Sequence, residues 1–258
     1  LWLVRQFLKA GGVEAGQHQV STQGTPQGGN LSPLLANISL HYVLDLWFER
    51  KFKPRAKGYV QLIRDCDDFV VCCESQQDAT AFLVALKDRF QTFSLSLSPD
   101  KTKVVKFGRR AWQLAKKSGR KPETFNFLGF THYCGTRRRG YFVMGHKTSK
   151  QNLHRKIQEI KEWLKRVSKH LPLKDWWPVL KAKLTGHYSY FGISGNIRCL
   201  KQFYFQVRNA VFKWMNRRSQ RISMTQGKFQ QYLEWHPLPT PRIYHALYTL
   251  APKRGMPH

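Results

Sequence analysis

Asp67 and Asp68 stand side by side inside an apolar run, Tyr59-Val-Gln-Leu-Ile-Arg-Asp-Cys-Asp-Asp-Phe-Val-Val-Cys-Cys73. A carboxylate among Leu62, Ile63, Phe69, Val70 and Val71 loses solvation unless a cation or a hydrogen-bond donor meets it. Two adjacent carboxylates repel, and a divalent metal ion such as Mg²⁺ relieves both. That arrangement suits phosphoryl transfer, where metal ions activate one oxygen and stabilise another. Arg64 is placed to bridge these acids or to take a phosphate.

A second constellation precedes the acids. Gln23-Gly-Thr-Pro-Gln-Gly-Gly29 runs into Ser32-Pro-Leu-Leu-Ala-Asn37. Pro26 restricts φ, and the glycines let backbone approach a ligand closely. Gln27 carries an amide able to read a base or sugar edge. Alone, such a turn is often only a loop before a helix; with the acid pair downstream it gains weight. His132 and Cys134 are a lone metal-capable pair, which is weak evidence for a site.

The elements that must position these residues follow from periodicity. Residues 1–10 read as a helix, 13–30 as loop or hairpin, and 31–50 as a long buried helix capped by Ser32-Pro33. Residues 59–73 read as two strands around the acids, and 76–93 as a helix. Short strands are expected at 101–107, 125–133 and 141–144, with Arg109 to Lys121 a basic, mobile insert between the first two. Helical patterns then cover 147–170, 174–190, 196–219 and 225–235. An α+β body thus gives way to an all-helical limb near Gly145-His146. The Pro-rich tail from Pro237 carries little ordering signal.

Charge divides the chain along similar lines. Of 258 residues, 44 are Lys or Arg and 15 are Asp or Glu, a formal net charge of +29. Residues 1–100 hold 10 of each, so residues 101–258 carry all of the excess. An excess of this size implies a polyanionic partner, nucleic acid first, rather than a membrane. The 5 cysteines form no C-x-x-C, which signals neither a zinc site nor a disulfide framework and suits a reducing interior such as a cytoplasm. Two basic helical stretches stand out: Lys150, Arg155, Lys161, Lys165, Arg166 and Lys169 in one, Arg208, Lys213, Arg217, Arg218 and Arg221 in the other. The second lies beside Phe203, Tyr204, Phe205, Phe212 and Trp214, which serve mostly as core while the charges meet phosphates. Arg137, Arg138 and Arg139 form a tight basic hairpin able to touch a duplex backbone.

Four ordered motifs carry a resemblance: Gly24 to Asn37, Ile63-Arg-Asp-Cys-Asp-Asp-Phe-Val70, Leu97-Ser-Pro-Asp-Lys-Thr102 and Phe127-Leu-Gly-Phe130. In order and spacing they resemble group II intron-encoded reverse transcriptases, also called maturases. Leu184-Thr-Gly-His-Tyr-Ser-Tyr190 resembles that family's thumb, domain X, and Pro237-Leu-Pro-Thr-Pro-Arg-Ile243 its usual end. The resemblance implies a partial palm over 1–145, an antiparallel sheet with helices. A helical thumb over 146–236 and a tail over 237–258 would follow. It implies Asp67 and Asp68 as metal-holding catalytic acids, with Mg²⁺ as cofactor. Gln27 and Gly28 would line the incoming dNTP, and Lys101 would neutralise phosphate or protonate pyrophosphate. Phe127 to Phe130 would support the primer end. The implied partners are intron RNA and an RNA template with its DNA primer.

Two departures qualify this. Where the family usually has Tyr, two places before the first acid, this chain has Asp65, whose charge competes for the metal and should impair polymerisation. The family's further palm carboxylate has no counterpart here, since Asp45 lies in a buried helical pattern and Glu14 in a loop. The chain, which begins at Leu1 within an amphipathic pattern, reads as a fragment expected not to polymerise alone. A non-catalytic RNA-binding splicing factor and an inert remnant of a mobile element remain the alternatives.

Overall fold

The computed structural model describes residues 2, 6, 12–14, 17–19, 32–136, 140–216 and 224–246. The architecture is mixed α+β, and its contacts fall into two compact units, Leu1–Val104 and Val105–His258.

The first unit opens with a short antiparallel pair, β1 (Gly12–Glu14) and β2 (Gln17–Gln19), within the stretch expected to hold a loop or hairpin. Helix α1 (Ser32–Leu40) continues through π-helical turns at His41–Asp45 and Phe48–Phe52 into a 3₁₀ turn at Lys53–Arg55. Its first half is not buried as the sequence suggests, for Leu34 and Ile38 are exposed, whereas Val43, Leu44 and Phe48 are buried. Strands β3 (Val60–Asp65) and β4 (Asp68–Cys73) follow, and then α2 (Gln76–Thr92). Ser75 caps α2 by accepting from the Asp78 amide, and Asp78 in turn accepts from the backbone amides of Lys57 and Gly58. Phe82, Leu86 and Phe90 of α2 close a core with Val43, Leu44, Phe48 and Val60. Residues 101–107, expected as a strand, pair with no strand among the described residues. The Thr102 amide donates to the Ser98 carbonyl at 3.0 Å, turning the chain where a ladder would need it extended.

The second unit's first helix is α3 (Arg109–Lys117), so most of the basic insert expected at 109–121 is helical. Trp112 packs on Phe142 with ring centroids 5.6 Å apart, which supplies the apolar contact that a short isolated helix lacks. A three-stranded antiparallel sheet has the order β5 (Phe125–Phe127), β6 (Phe130–Thr136), β7 (Phe142–Thr148). Helices α4 (Lys150–His170), α5 (Leu173–Phe191), α6 (Ile197–Asn216) and α7 (Gln226–Trp235) fit the four expected patterns. They bury Leu164, Leu180, Leu184, Leu200, Phe203, Val211 and Phe229.

The sheet belongs to the same compact unit as the helices, and a buried polar knot explains why. Asn196 is fully buried, accepts from the Thr148 amide at 2.8 Å, and donates to Thr148 Oγ1 and the Phe191 carbonyl, each at 2.8 Å. The described part of the tail, residues 237–246, packs on the helices, although its composition carries little ordering signal. Leu238 is buried in the helical core, and the Tyr244 and His245 amides both donate to the Gly192 carbonyl. A Cβ on Gly192 would lie 2.3 Å from the Tyr188 carbonyl of α5 and 3.0 Å from the Arg242 carbonyl of the tail, so glycine lets the tail approach the end of α5.

Candidate functional site

Strands β3 and β4 pair in the register Asp65↔Asp68, Ile63↔Val70 and Gln61↔Cys72 on one face. Arg64↔Phe69, Leu62↔Val71 and Val60↔Cys73 lie on the other, which packs on the first unit's core. The period of two therefore sends one face inward and leaves the acid-bearing face open, with Ile63 49% exposed. Cys66 and Asp67 form the two-residue tip. Cys66 has φ 56°, a conformation uncommon for a residue with a side chain.

That tip is held from behind. Arg64 Nη1 donates to the Cys66 carbonyl and to Asn37 Oδ1, each at 2.7 Å. Its Nε and Nη2 fork onto Asp45, at 2.8 Å to Oδ1 and 2.6 Å to Oδ2. Asn37 Nδ2 faces Cys66 Sγ at 3.7 Å. The Arg64 hydrogen bond holds the Asp45 carboxyl below its ordinary range, despite partial desolvation. Arg64 is thus committed to the scaffold, and not to the hairpin acids or a phosphate. Asn37 and Asp45 were not legible as partners. They carried no distinct signal, since Ser39 and His41 are further polar residues between them in the same helical run.

Asp65, Asp67 and Asp68 are all exposed. Asp65 and Asp68 are directly opposed across the ladder, so two like charges share the open face. Among the described residues no group of three or more His, Cys, Asp or Glu is placed to hold a metal ion. Asp67 and Asp68 nonetheless offer adjacent, accessible carboxylate oxygens, a donor set that suits Mg²⁺, which keeps waters and takes substrate phosphates for its remaining positions. Lys101 is exposed in a turn, its amide donating to the Ser98 carbonyl at 3.3 Å. Gln27 and Gly28 lie outside the described residues.

In the second unit, Phe127 to Phe130 form the β5–β6 turn, with Leu128 at φ 49° and Gly129 at φ 79°. Tyr190 Oη donates to the Leu128 carbonyl at 3.1 Å, and the Tyr190 ring stacks on Phe130. Beside the turn lies a groove of about 470 Å³ lined by Gly129, Asn152, Arg155, Lys183, His187 and Tyr190. His187 stacks on Phe203 at 3.6 Å, and burial, reinforced by the Lys156 charge, pushes its imidazole pKa down to about 4. It is therefore neutral near pH 7.

The basic residues of the helices do not form one stripe. Arg155 and Lys161, six residues apart, project about 120° apart round α4. Arg155 pairs with Glu159 at 3.0 Å, while Lys150 and Lys165 are exposed. Arg208 donates to Gln230 at 2.8 Å and Lys213 is exposed. Arg137, Arg138, Arg139, Arg217, Arg218 and Arg221 lie outside the described residues. Of the aromatics beside them, Phe203 is core and Tyr204, Phe212 and Trp214 pack against it, but Phe205 is 55% exposed. His132 and Cys134 do not form a metal pair: Cys134 Sγ accepts from the Gly108 amide at 3.3 Å, while His132 abuts His146.

The family model described as Reverse transcriptase (RNA-dependent DNA polymerase) matches residues 2–132, about half of the chain. Two curated relatives carry the name Group II intron-encoded protein LtrA, from Lactococcus lactis subsp. cremoris and from its strain MG1363. Each is 34% identical over 119 residues, covering 42% of this chain and 20% of the relative's own length. The match thus spans about a fifth of those proteins. With the acid pair at the tip of an antiparallel hairpin, the chain belongs to the reverse transcriptase (RNA-dependent DNA polymerase) family and is similar to its group II intron-encoded members.

Proposed function

We propose that this chain contributes the palm and thumb of a group II intron-encoded RNA-directed DNA polymerase that also binds intron RNA as a maturase. The observation that carries the reading is the open hairpin tip presenting Asp67 and Asp68, buttressed by Arg64, Asn37 and Asp45. The palm corresponds to 1–145, the thumb to 146–236 and the tail to 237–258. Intron RNA, an RNA template with DNA primer, and dNTP are the partners.

Asp67 and Asp68 would hold Mg²⁺. Bound there, the ion lowers the cost of forming an attacking oxygen anion and of charge on the departing pyrophosphate. The protein's task is positional. The Arg64 fork sets the tip against the helix behind it, so the two carboxylates face the reacting phosphate without reorganising. Gln27 and Gly28 line the nucleotide, and Lys101 offsets phosphate charge. The Phe127–Phe130 turn, locked by Tyr190, supports the primer end. Lys150, Arg155, Lys161, Lys165, Arg208, Lys213, Arg217 and Arg218, with Arg137, Arg138 and Arg139, contact RNA phosphates. The test is primer extension on an RNA template by a polypeptide containing these residues. Asp68→Asn should reduce incorporation by at least about a hundredfold, and equal incorporation overturns the reading.

One observation favours a second reading, an RNA-binding splicing factor without polymerase activity. Asp65 faces Asp68 across the ladder, a like charge that competes with the pair for a metal ion. Splicing assistance that survives Asp67→Asn and Asp68→Asn, with no extension by the parent, would establish it.

A further inference from the structure

Helix α3 is a short basic element that none of the roles above uses. Its place is fixed by the sheet beneath it. The Gly108 amide donates to Cys134 Sγ at 3.3 Å just before the helix, and Trp112 packs on Phe142. At the other end, Gly119 takes φ 66° and the Arg120 amide donates to the Ala115 carbonyl at 2.9 Å, closing the helix and turning the chain away. Ala111, Trp112 and Ala115 are half-buried, while Arg109, Arg110, Gln113, Leu114, Lys116 and Lys117 are exposed.

The exposed side is unusually one-signed. From Lys101 to Pro122 the sequence contains no Asp or Glu. Among the described residues none of Arg109, Arg110, Lys116 and Lys117 forms an ion pair. Arg109 and Lys116 are seven residues apart, as are Arg110 and Lys117. Each pair is therefore separated by two turns, about 10.5 Å along the axis, in two parallel rows. One row borders the sheet, with Arg109 over the Phe142 ring at 5.9 Å and Lys116 over the Trp112 ring at 5.4 Å, both still exposed, while Trp112 itself faces the sheet and offers no stacking platform.

We propose that the outward face of α3, carrying Arg109, Arg110, Lys116 and Lys117, is a docking surface for the phosphate backbone of double-helical RNA. It rests on the reading of the chain as an RNA-binding protein and names a surface which that reading leaves unassigned. Phosphate contacts position a nucleic acid without reading its bases. Two rows of cations, one of them held over the rings of Phe142 and Trp112, match the regularly spaced phosphates of a duplex better than a pliable single strand, which needs exposed rings to stack on. Leu114, 66% exposed between Arg110 and Lys117, meets the sugar edges of the shallow minor groove.

The experiment compares the full chain with a variant carrying Arg109→Gln, Arg110→Gln, Lys116→Gln and Lys117→Gln. Anisotropy titrations use an RNA duplex of about 20 base pairs and a single strand of the same composition, over a range of salt. The variant should bind duplex at least about tenfold more weakly, with the slope of log K against log salt reduced by about 3. The loss should be smaller for the single strand. Unchanged duplex affinity and slope overturn the proposal, as does an equal loss on the single strand. A second variant, Arg109→Lys with Arg110→Lys, should retain the parent slope, and loss of slope there means that shape, not charge, was removed and overturns it. Failure of the parent chain to bind any RNA overturns the maturase reading itself, a result distinct from the others. Circular dichroism confirms that each variant is folded.

Discussion

Arg64 reaches from β3 to Asp45 in the π-helical turn after α1, closing a bidentate pair with contacts of 2.8 and 2.6 Å. The same guanidinium holds the Cys66 carbonyl at the hairpin tip. One side chain therefore ties the helix behind the hairpin to the turn that carries Asp67. Both partners are partly buried, Arg64 at 14% and Asp45 at 26% side-chain exposure, so solvent screens the pair only in part.

Asp45→Ala should lower the stability of the first unit by about 1–3 kcal/mol, because it leaves a half-buried guanidinium unpaired. Arg64→Ala should cost a similar amount, and the double variant should cost about 1 kcal/mol less than the sum. Urea unfolding measures all three. The pH sign follows from the depressed Asp45 carboxyl. Its contribution is present above the ordinary carboxylate range and is lost as pH falls through and below it. Asp45→Ala should remove that part of the acid sensitivity.

Asp65→Tyr should stabilise the hairpin, since it removes one of two like charges opposed across the ladder. In a polymerising background it should also raise primer extension, on the order of tenfold, by freeing the Asp67–Asp68 pair from a competing carboxylate. An unchanged extension rate would show that Asp65 is tolerated at this position.

Gly129→Ala should destabilise the second unit by about 1–3 kcal/mol, for two reasons. The residue sits at φ 79°, and a Cβ there would lie 2.7 Å from Asn152 Nδ2. Gly119→Ala is the comparison, since φ is 66° but nothing lies within 4 Å of the added Cβ. Thermal melts should show the larger loss at Gly129, and equal losses would mean that the close approach costs nothing.

Stability of the second unit should fall between about pH 6.5 and about pH 4 through His187. Its folded pKa is depressed to about 4, while the unfolded chain titrates near 6.5. In that window the unfolded state binds a proton that the folded state does not. The contribution is therefore complete above pH 6.5 and lost as pH falls towards 4, a change of at most about 3 kcal/mol. His187→Phe should keep a ring against Phe203 and flatten the profile. A parallel profile would mean that other groups govern the acid limb.

The two strands around Asp67 and Asp68 were legible because two short apolar runs flank a polar tip, a pattern that needs no partner beyond its neighbour strand. The four long helices from Lys150 onward were legible because a period near 3.6 recurs over ten or more residues. The helix at Arg109–Lys117 was not, since its apolar contacts are few and its burial depends on Phe142, which is distant in sequence. The packing of residues 237–246 was missed for a related reason. Their proline-rich sequence shows no period, and what holds them is the bare backbone of Gly192 and the helical core that receives Leu238.

By itself the sequence determined the acid pair, its hairpin, the basic excess of the second part and the membership in a polymerase family, because each rests on local pattern or on ordered motifs. Only the tertiary structure decided which residues support the acids. Asn37, Asp45 and Arg64 are separated along the chain by up to 27 residues and are joined by hydrogen bonds. Those bonds exist only once the helix and the hairpin share a core. Likewise, only the folded register brings Asp65 opposite Asp68, since the face a strand residue takes depends on its parity and its partner on where the turn falls.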